Sequence, residues 1–332
     1  MNKHKLIDVY NEYIGFKKFK IFYIFGVKIK VEVNNAIGIR NFAKTYRIKS
    51  LENKNRRKNG KVNFSIVAIY KNEPDLIEWI EYHKLVGVQR FYLYDNESSD
   101  NSKALLEPYI DSGEVIYHYV QGKCKQLPVY KDAIYHYKNE TNWLAIIDLD
   151  EYIVPVEKND INEVIEEYED YPALGVNWIM FDSNDFKERP KGLVIENYTK
   201  VQLNIHSREN KHIKSIVNPR KVKFVSNPHY CIYKNHELAV DENFKKIGKY
   251  PDFENLSAMT EQHSSNKIRI NHYHTKSCED YCRKRQLGFA DSYKKRPEID
   301  QYLNFKNRRE DKVIFKYIPK LKKKMEKTKW KV

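Results

Sequence analysis

Residues 143–147, Trp-Leu-Ala-Ile-Ile, form an apolar run without Gly or Pro, and the chain then delivers three carboxylates in four positions, Asp148, Asp150 and Glu151. A short continuous run of this kind reads as a strand buried on both faces of a sheet. Two earlier runs share the design. Phe64–Tyr70 ends in Lys71-Asn72-Glu73, and Arg90–Tyr94 ends in Asp95-Asn96. Between the runs the spacing predicts helices over Asp75–Val86, from the Ser98–Asn101 cap to Tyr109, and over 128–139. Pro74 fits the first turn of the first helix and Gly87 its C-terminal cap. Strand and helix alternating over short connections predict an α/β fold with a doubly wound, mostly parallel sheet. The strand-end acids then share the sheet's carboxyl edge, where such folds bind ligands.

The second half is less regular. Ala173–Phe181, Tyr198–Ile205 and Lys214–Val225 read as strands, and Cys278–Ser292 as a helix. The organised pattern covers residues 61–295. Residues 1–60 form a basic appendage: 13–33 alternates Lys with aromatic and β-branched residues and reads as a hairpin or interfacial segment, and 52–61 reads as a polar linker. Residues 296–332 form a basic, roughly amphipathic tail that either lies on a membrane or packs on its own domain.

The net charge of +15 belongs to the ends. Residues 1–60 carry +11, residues 303–332 carry +9, and 61–302 carry −5. This argues against a basic nucleic-acid groove through the main domain and suits an anionic membrane surface. The four cysteines lack paired CxxC spacing, which fits a reducing compartment. The first ten residues show no signal-peptide core and no apolar stretch reaches membrane-spanning length, so the expected location is the cytoplasm, peripheral on the inner face of the cell membrane.

There is no GxGxxG after the first strand and no GxxxxGK[ST]. A diphosphate bound here needs another means of neutralisation. A Mn²⁺ or Mg²⁺ ion on Asp148 and Asp150 supplies it.

Ile69–His83 followed by Gly87–Asp100 resembles the opening of glycosyltransferase family 92, which is allied to the family 2 nucleotide-sugar transferases. Asp148–Tyr152, Trp178–Phe181, Lys214–Pro219 and Asn271–Ser277 are similar to further segments of that family in the same order, over about residues 62–290. The resemblance implies a GT-A fold with a nucleotide-binding N-terminal half and a smaller acceptor-binding region. It also implies inverting, metal-dependent transfer from a nucleotide sugar (a UDP-hexose, with UDP-galactose the first choice). The acceptor would be a glycan or lipid-linked glycan of surface polysaccharide or lipooligosaccharide synthesis. Carried over by residue, Asn72, Glu73, Asp95, Asp148 and Lys276 contact the donor. Asp148, Asp150 and His272 hold the metal, with Glu151 and His274 as alternatives. His272 is favoured over His274 because alternate residues of an extended segment face opposite ways. Trp178 and His229 meet the acceptor. The base that takes the acceptor proton is Glu196, Asp185 or Asp182, in that order, since Asp182 stands where family members often carry Gly. The other reading is a nucleotide-sugar- or carbohydrate-binding protein that keeps this scaffold without catalysis.

Overall fold

The computed structural model describes residues 61–248, 258–298 and 304–328 in full, and the backbone of three strands before them. Those strands, β1 (Ile7–Ile14), β2 (Lys17–Ile24) and β3 (Val27–Glu32), pair antiparallel in sequence order. The hairpin expected at 13–33 is therefore part of a three-stranded meander, in a compact unit separate from the main one. The linker expected at 52–61 lies, but for Lys61, outside the described residues.

The main unit runs β4 (Val62–Tyr70), α1 (Leu76–Leu85), β5 (Arg90–Asp95), α2 (Ser102–Asp111), β6 (Val115–Tyr119), α3 (Gln126–Tyr137) and β7 (Thr141–Ile146). After the acidic turn come β8 (Glu151–Pro155), α4 (Ile161–Ile165), β9 (Ala173–Met180), α5 (Val194–Asn197), β10 (Lys200–Gln202), β11 (Ile213–Val217), β12 (Val222–Val225) and β13 (Cys231–Tyr233). β14 (Ile268–His272), α6 (Cys278–Leu287), β15 (Arg308–Glu310) and α7 (Ile318–Met325) complete it. Eight strands form one sheet in the order β6-β5-β4-β7-β11-β9-β14-β8. β4 runs parallel to β5 and β7, β5 to β6, and β9 to β14, whereas β11 and β8 run antiparallel to their neighbours. This is the doubly wound, mostly parallel α/β architecture expected from the strand-end pattern.

Three expected elements are shorter than the sequence suggested. The strand over 214–225 breaks where Asn218-Pro219-Arg220 turns the chain and Lys221 N donates to Asn218 O (3.0 Å). The strand over 198–205 keeps only Lys200–Gln202, paired with β15. The helix from Cys278 stops at Leu287 because Gly288 takes φ +76° and ψ −157°, a conformation open to glycine that cannot continue a helix.

Helix α1 is buried on nearly every side and underpins the edge strand β8. Trp79 Nε1 donates to Glu151 O (2.8 Å), Tyr82 OH to Ile153 O (2.9 Å), and Ile153 N donates to His83 Nε2 (3.2 Å). His83 Nδ1 donates to Trp79 O (2.8 Å), which fixes the neutral tautomer, and burial pushes its pKa down to about 3. Side chains thus satisfy backbone groups that an edge strand leaves open. At the end of α1 the chain turns through Gly87 at φ +103°, where a Cβ would lie 2.2 Å from Asp160 Oδ1.

The basic tail is part of this unit. Ile314, Tyr317, Ile318, Leu321 and Met325 are buried in the main core, α7 packs against α1, and Arg269 forms a two-pronged buried ion pair with Asp311. Of the two fates open to an amphipathic tail, its apolar face packs on its own domain, and its lysines remain outside. No helix among the described residues is long and apolar enough to cross a membrane.

Candidate active site

β7 ends and the chain turns through Asp148-Leu149-Asp150 before β8 begins at Glu151. β8 pairs with β14 so that Glu151 faces His272, and β14 also lies beside β9, with His272 opposite Met180. Sheet order therefore carries a histidine from 122 residues downstream to the acidic turn. Tyr273 N donates to Asp150 O (2.8 Å) and pins the two segments together.

The two aspartates of the turn are held differently. Asp148 Oδ1 accepts from Gln126 Nε2 (2.8 Å) and Tyr130 OH (3.0 Å), and Oδ2 accepts from Lys214 Nζ (2.7 Å). Lys214 rises from the middle of the sheet on β11, is fully buried, and also approaches Glu151 (3.4 Å). Burial pushes the Asp148 carboxyl up, but Lys214 outweighs it and holds the pKa below its usual value. Glu151 is the surplus acid. Burial raises it well above the carboxylate range despite Lys214, and its Oε2 accepts from Asp148 N (2.9 Å).

Asp150 has one oxygen 3.6 Å from His272 Nε2, and the other accepts from Lys284 Nζ on α6. Lys284 also donates to His274 O (2.8 Å). Burial acts upward on Asp150, yet Lys284 and His272 hold it well below the usual carboxylate range. His272 is pushed down by burial, against the pull of Asp150, so its ring is neutral; its buried Nδ1 has no partner among the described residues.

Asp150, His272 and His274 each present a ligand atom, all within 4.8 Å of one another. Asp148, Asp150 and Glu151 form a second such group, but Lys214, Gln126 and Tyr130 already fill the oxygens of Asp148. A carboxylate with two imidazoles, one bearing an unpartnered nitrogen, fits a divalent ion. The histidines share the site rather than exclude one another. β14 ends at His272, so strand alternation does not reach His274, whose ring meets that of His272 edge-on at 5.3 Å.

Above this cluster opens a cleft of about 930 Å³. Of the residues singled out in the sequence, Glu73, Asp148, Asp150, His272, His274, Trp178 and His229 lie on its wall. Trp178 packs against His272 (4.4 Å between centroids), His229 (5.1 Å) and His212 (5.3 Å). His229 Nδ1 donates to Ile213 O (3.0 Å), and burial with Lys214 pushes it down to about 3.

Other expected residues are turned to structural work. Asp95 accepts from Ser98 N and Tyr117 OH (both 2.7 Å), and Asn96 takes the place on the cleft wall. Asn72, at φ 50°, binds Ser99 N through its side chain (2.7 Å) and sits off the main cleft. Lys276 pairs with Asp75 and Glu73 beside the Arg189–Asp75 and Arg189–Asp280 pairs, which tie the end of β4 to the start of α6. None of the three base candidates lines the cleft. Asp182 is buried against Arg308 (3.1 Å), Asp185 pairs with Arg308 and Lys200 (2.6 and 2.9 Å), and Glu196 pairs with Lys322 (2.6 Å). Sequence reasoning overlooked Lys214, Lys284, Gln126 and Tyr130. A lone Lys inside the apolar run Ile213–Val217 was the available signal for the first; the others sit on helices with no marker.

A doubly wound sheet carrying an Asp–His–His cluster under a strand-edge cleft defines an α/β protein built to bind a polar ligand. A family model described as Glycosyltransferase family 92 matches residues 60–286, and the chain belongs to that family. A glycosyltransferase family 92 protein of Arabidopsis thaliana is 28% identical over 143 residues, 40% of this chain and 25% of that protein. A galactan β-1,4-galactosyltransferase of the same plant is 26% identical over 117 residues, 32% of this chain and 23% of that protein. The chain spans a quarter or less of the length of these curated relatives. Among solved structures, residues 1–349 of S. aureus TarS match at 16% identity and TM-score 0.35, covering 68% of this chain and 64% of that 1–349 chain.

Proposed function

We propose that this chain is an inverting, metal-dependent glycosyltransferase that moves a hexose from a UDP-sugar to a glycan acceptor. The convergence of Asp150, His272 and His274 beneath the cleft, in a chain of family 92, carries the reading. The galactosyltransferase relative makes UDP-galactose the first donor to test. Asp150, His272 and His274 hold the ion, and an imidazole-bearing set favours Mn²⁺ over Mg²⁺. Bound there, the ion supplies Lewis-acid stabilisation of the leaving diphosphate. Asp148, saturated by Lys214, Gln126 and Tyr130, fixes the turn that aims Asp150. Lys284 competes with the ion for Asp150 and, once released, faces the donor phosphates across the cleft. Trp178 and His229 offer an apolar face to an acceptor sugar.

Inversion needs a carboxylate to take the acceptor's proton. The acids on the cleft wall outside the turn are Glu73 and Asp291, and we place the base between them rather than at Asp182, Asp185 or Glu196. A role in surface-glycan synthesis at the inner membrane face rests on the basic ends, whose lysines suit anionic lipid.

The test is a panel of UDP-sugars incubated with Mn²⁺ and scored for hydrolysis without acceptor. Metal-dependent release of one sugar supports the reading. UDP binding with no turnover of any donor would instead mark a carbohydrate-binding relative that has lost catalysis.

A further inference from the structure

Residues 61–302 carry a net charge of −5, yet the cleft in them is basic. Its wall presents seven Lys and Arg side chains against four carboxylates. Three of the cations are engaged: Lys284 with Asp150, Arg285 with Glu298 (3.1 Å), and Arg296 with Gly288 O (2.9 Å) over the Phe289 ring. The other four, Lys71, Lys123, Lys294 and Lys295, meet no carboxylate among the described residues. Three of the four acids have their own cations, Asp148 with Lys214, Asp150 with Lys284 and Glu73 with Lys276, which leaves Asp291. The donor does not use up this surplus, since the charge of a nucleoside diphosphate is offset by the divalent ion that holds it.

We propose that the acceptor is an anionic glycan, bearing phosphate or carboxylate groups close to the hydroxyl that receives the sugar. This deepens the transferase reading and rests on it. Lys294 and Lys295, on the segment after α6, line the binding surface together with Lys71 and Lys123, just past β4 and β6. Four ammonium groups, drawn from three stretches of the chain, suit charges repeated along a glycan better than one compact anion. The lysines are solvated, so each contact is modest and salt-sensitive.

The probes are phosphorylated pentamannose and the same oligosaccharide after phosphatase treatment, titrated into the full chain with UDP and Mn²⁺ present. The wild type should bind the phosphorylated glycan about tenfold more tightly at low salt, the sum of a few exposed ion pairs. Lys294→Glu with Lys295→Glu should erase that preference while UDP affinity stays within about twofold. Equal affinity for the two glycans in the wild type would overturn the proposal, as would a matching loss of UDP affinity in the double variant, because the lysines would then serve the donor. Failure of the wild type to bind UDP with Mn²⁺ would instead count against the transferase reading itself.

Discussion

Asp148 and Asp150 stand two residues apart and are neutralised by different lysines. Lys214 is buried and fixed in the sheet, whereas Lys284 sits on a helix at the cleft and is a quarter exposed. An ion at the cleft would compete with the second lysine, not with the first. Replacing Lys284 by Met should therefore tighten Mn²⁺ binding, by about tenfold for a charge-assisted pair; isothermal titration checks this, and weaker binding would contradict the competition. Glu151 behaves differently again. With its carboxyl raised well above the ordinary range by burial, its contribution to stability is complete below the usual glutamate value of about 4.3 and is lost as pH rises toward its folded value. Glu151→Gln mimics the protonated form, so urea midpoints of the variant should depend less on pH above that value. An unchanged slope would show that Glu151 is charged in the fold.

At the scale of elements, β14 and α6 build the site with the acidic turn, and α1 and α7 brace it from below. Leu321 is fully buried on α7 and Lys323 is exposed. Leu321→Ala should cost about 2–5 kcal/mol of unfolding free energy, and Lys323→Ala within about 0.5 kcal/mol. Equal small effects in urea titrations would mean that the tail does not pack as described. The elements after β9 hold the three acids first expected to act as base. Loss of a general base lowers turnover by about 10²–10⁴-fold. Asp182→Asn, Asp185→Asn and Glu196→Gln should each stay within about tenfold of wild-type donor transfer per folded molecule, since Arg308, Lys200 and Lys322 hold these acids off the cleft.

The first half of the sheet was legible because buried strands read as apolar runs and their ends as polar punctuation. The Asp-x-Asp turn was legible for the same reason, whereas the His272 segment was marked only by its resemblance to the family pattern. What local pattern could not show was pairing. Nothing in Lys-Val-Gln-Leu-Asn-Ile, residues 200–205, says that its strand will stop after the first three residues, and nothing near Asp148 says that Lys214 will neutralise it from 66 residues away. The fates of Asp95, Asn72 and Lys276 were hidden similarly, because an acid or amide at a strand end serves a loop as readily as a ligand.

For the whole molecule, charge and fold divide the labour. The basic ends supply more than the whole net charge, the acidic middle supplies the sheet, and within that middle the cleft wall is basic. The account stands or falls on whether the cleft holds an ion at Asp150. The direct measurement is Mn²⁺ binding by electron paramagnetic resonance, with UDP present, for the wild type, Asp150→Asn and Asp148→Asn at equal folded concentration. One bound ion in the wild type, lost in Asp150→Asn but retained with reduced affinity in Asp148→Asn, is the expected result. Unchanged Mn²⁺ binding in Asp150→Asn would contradict it.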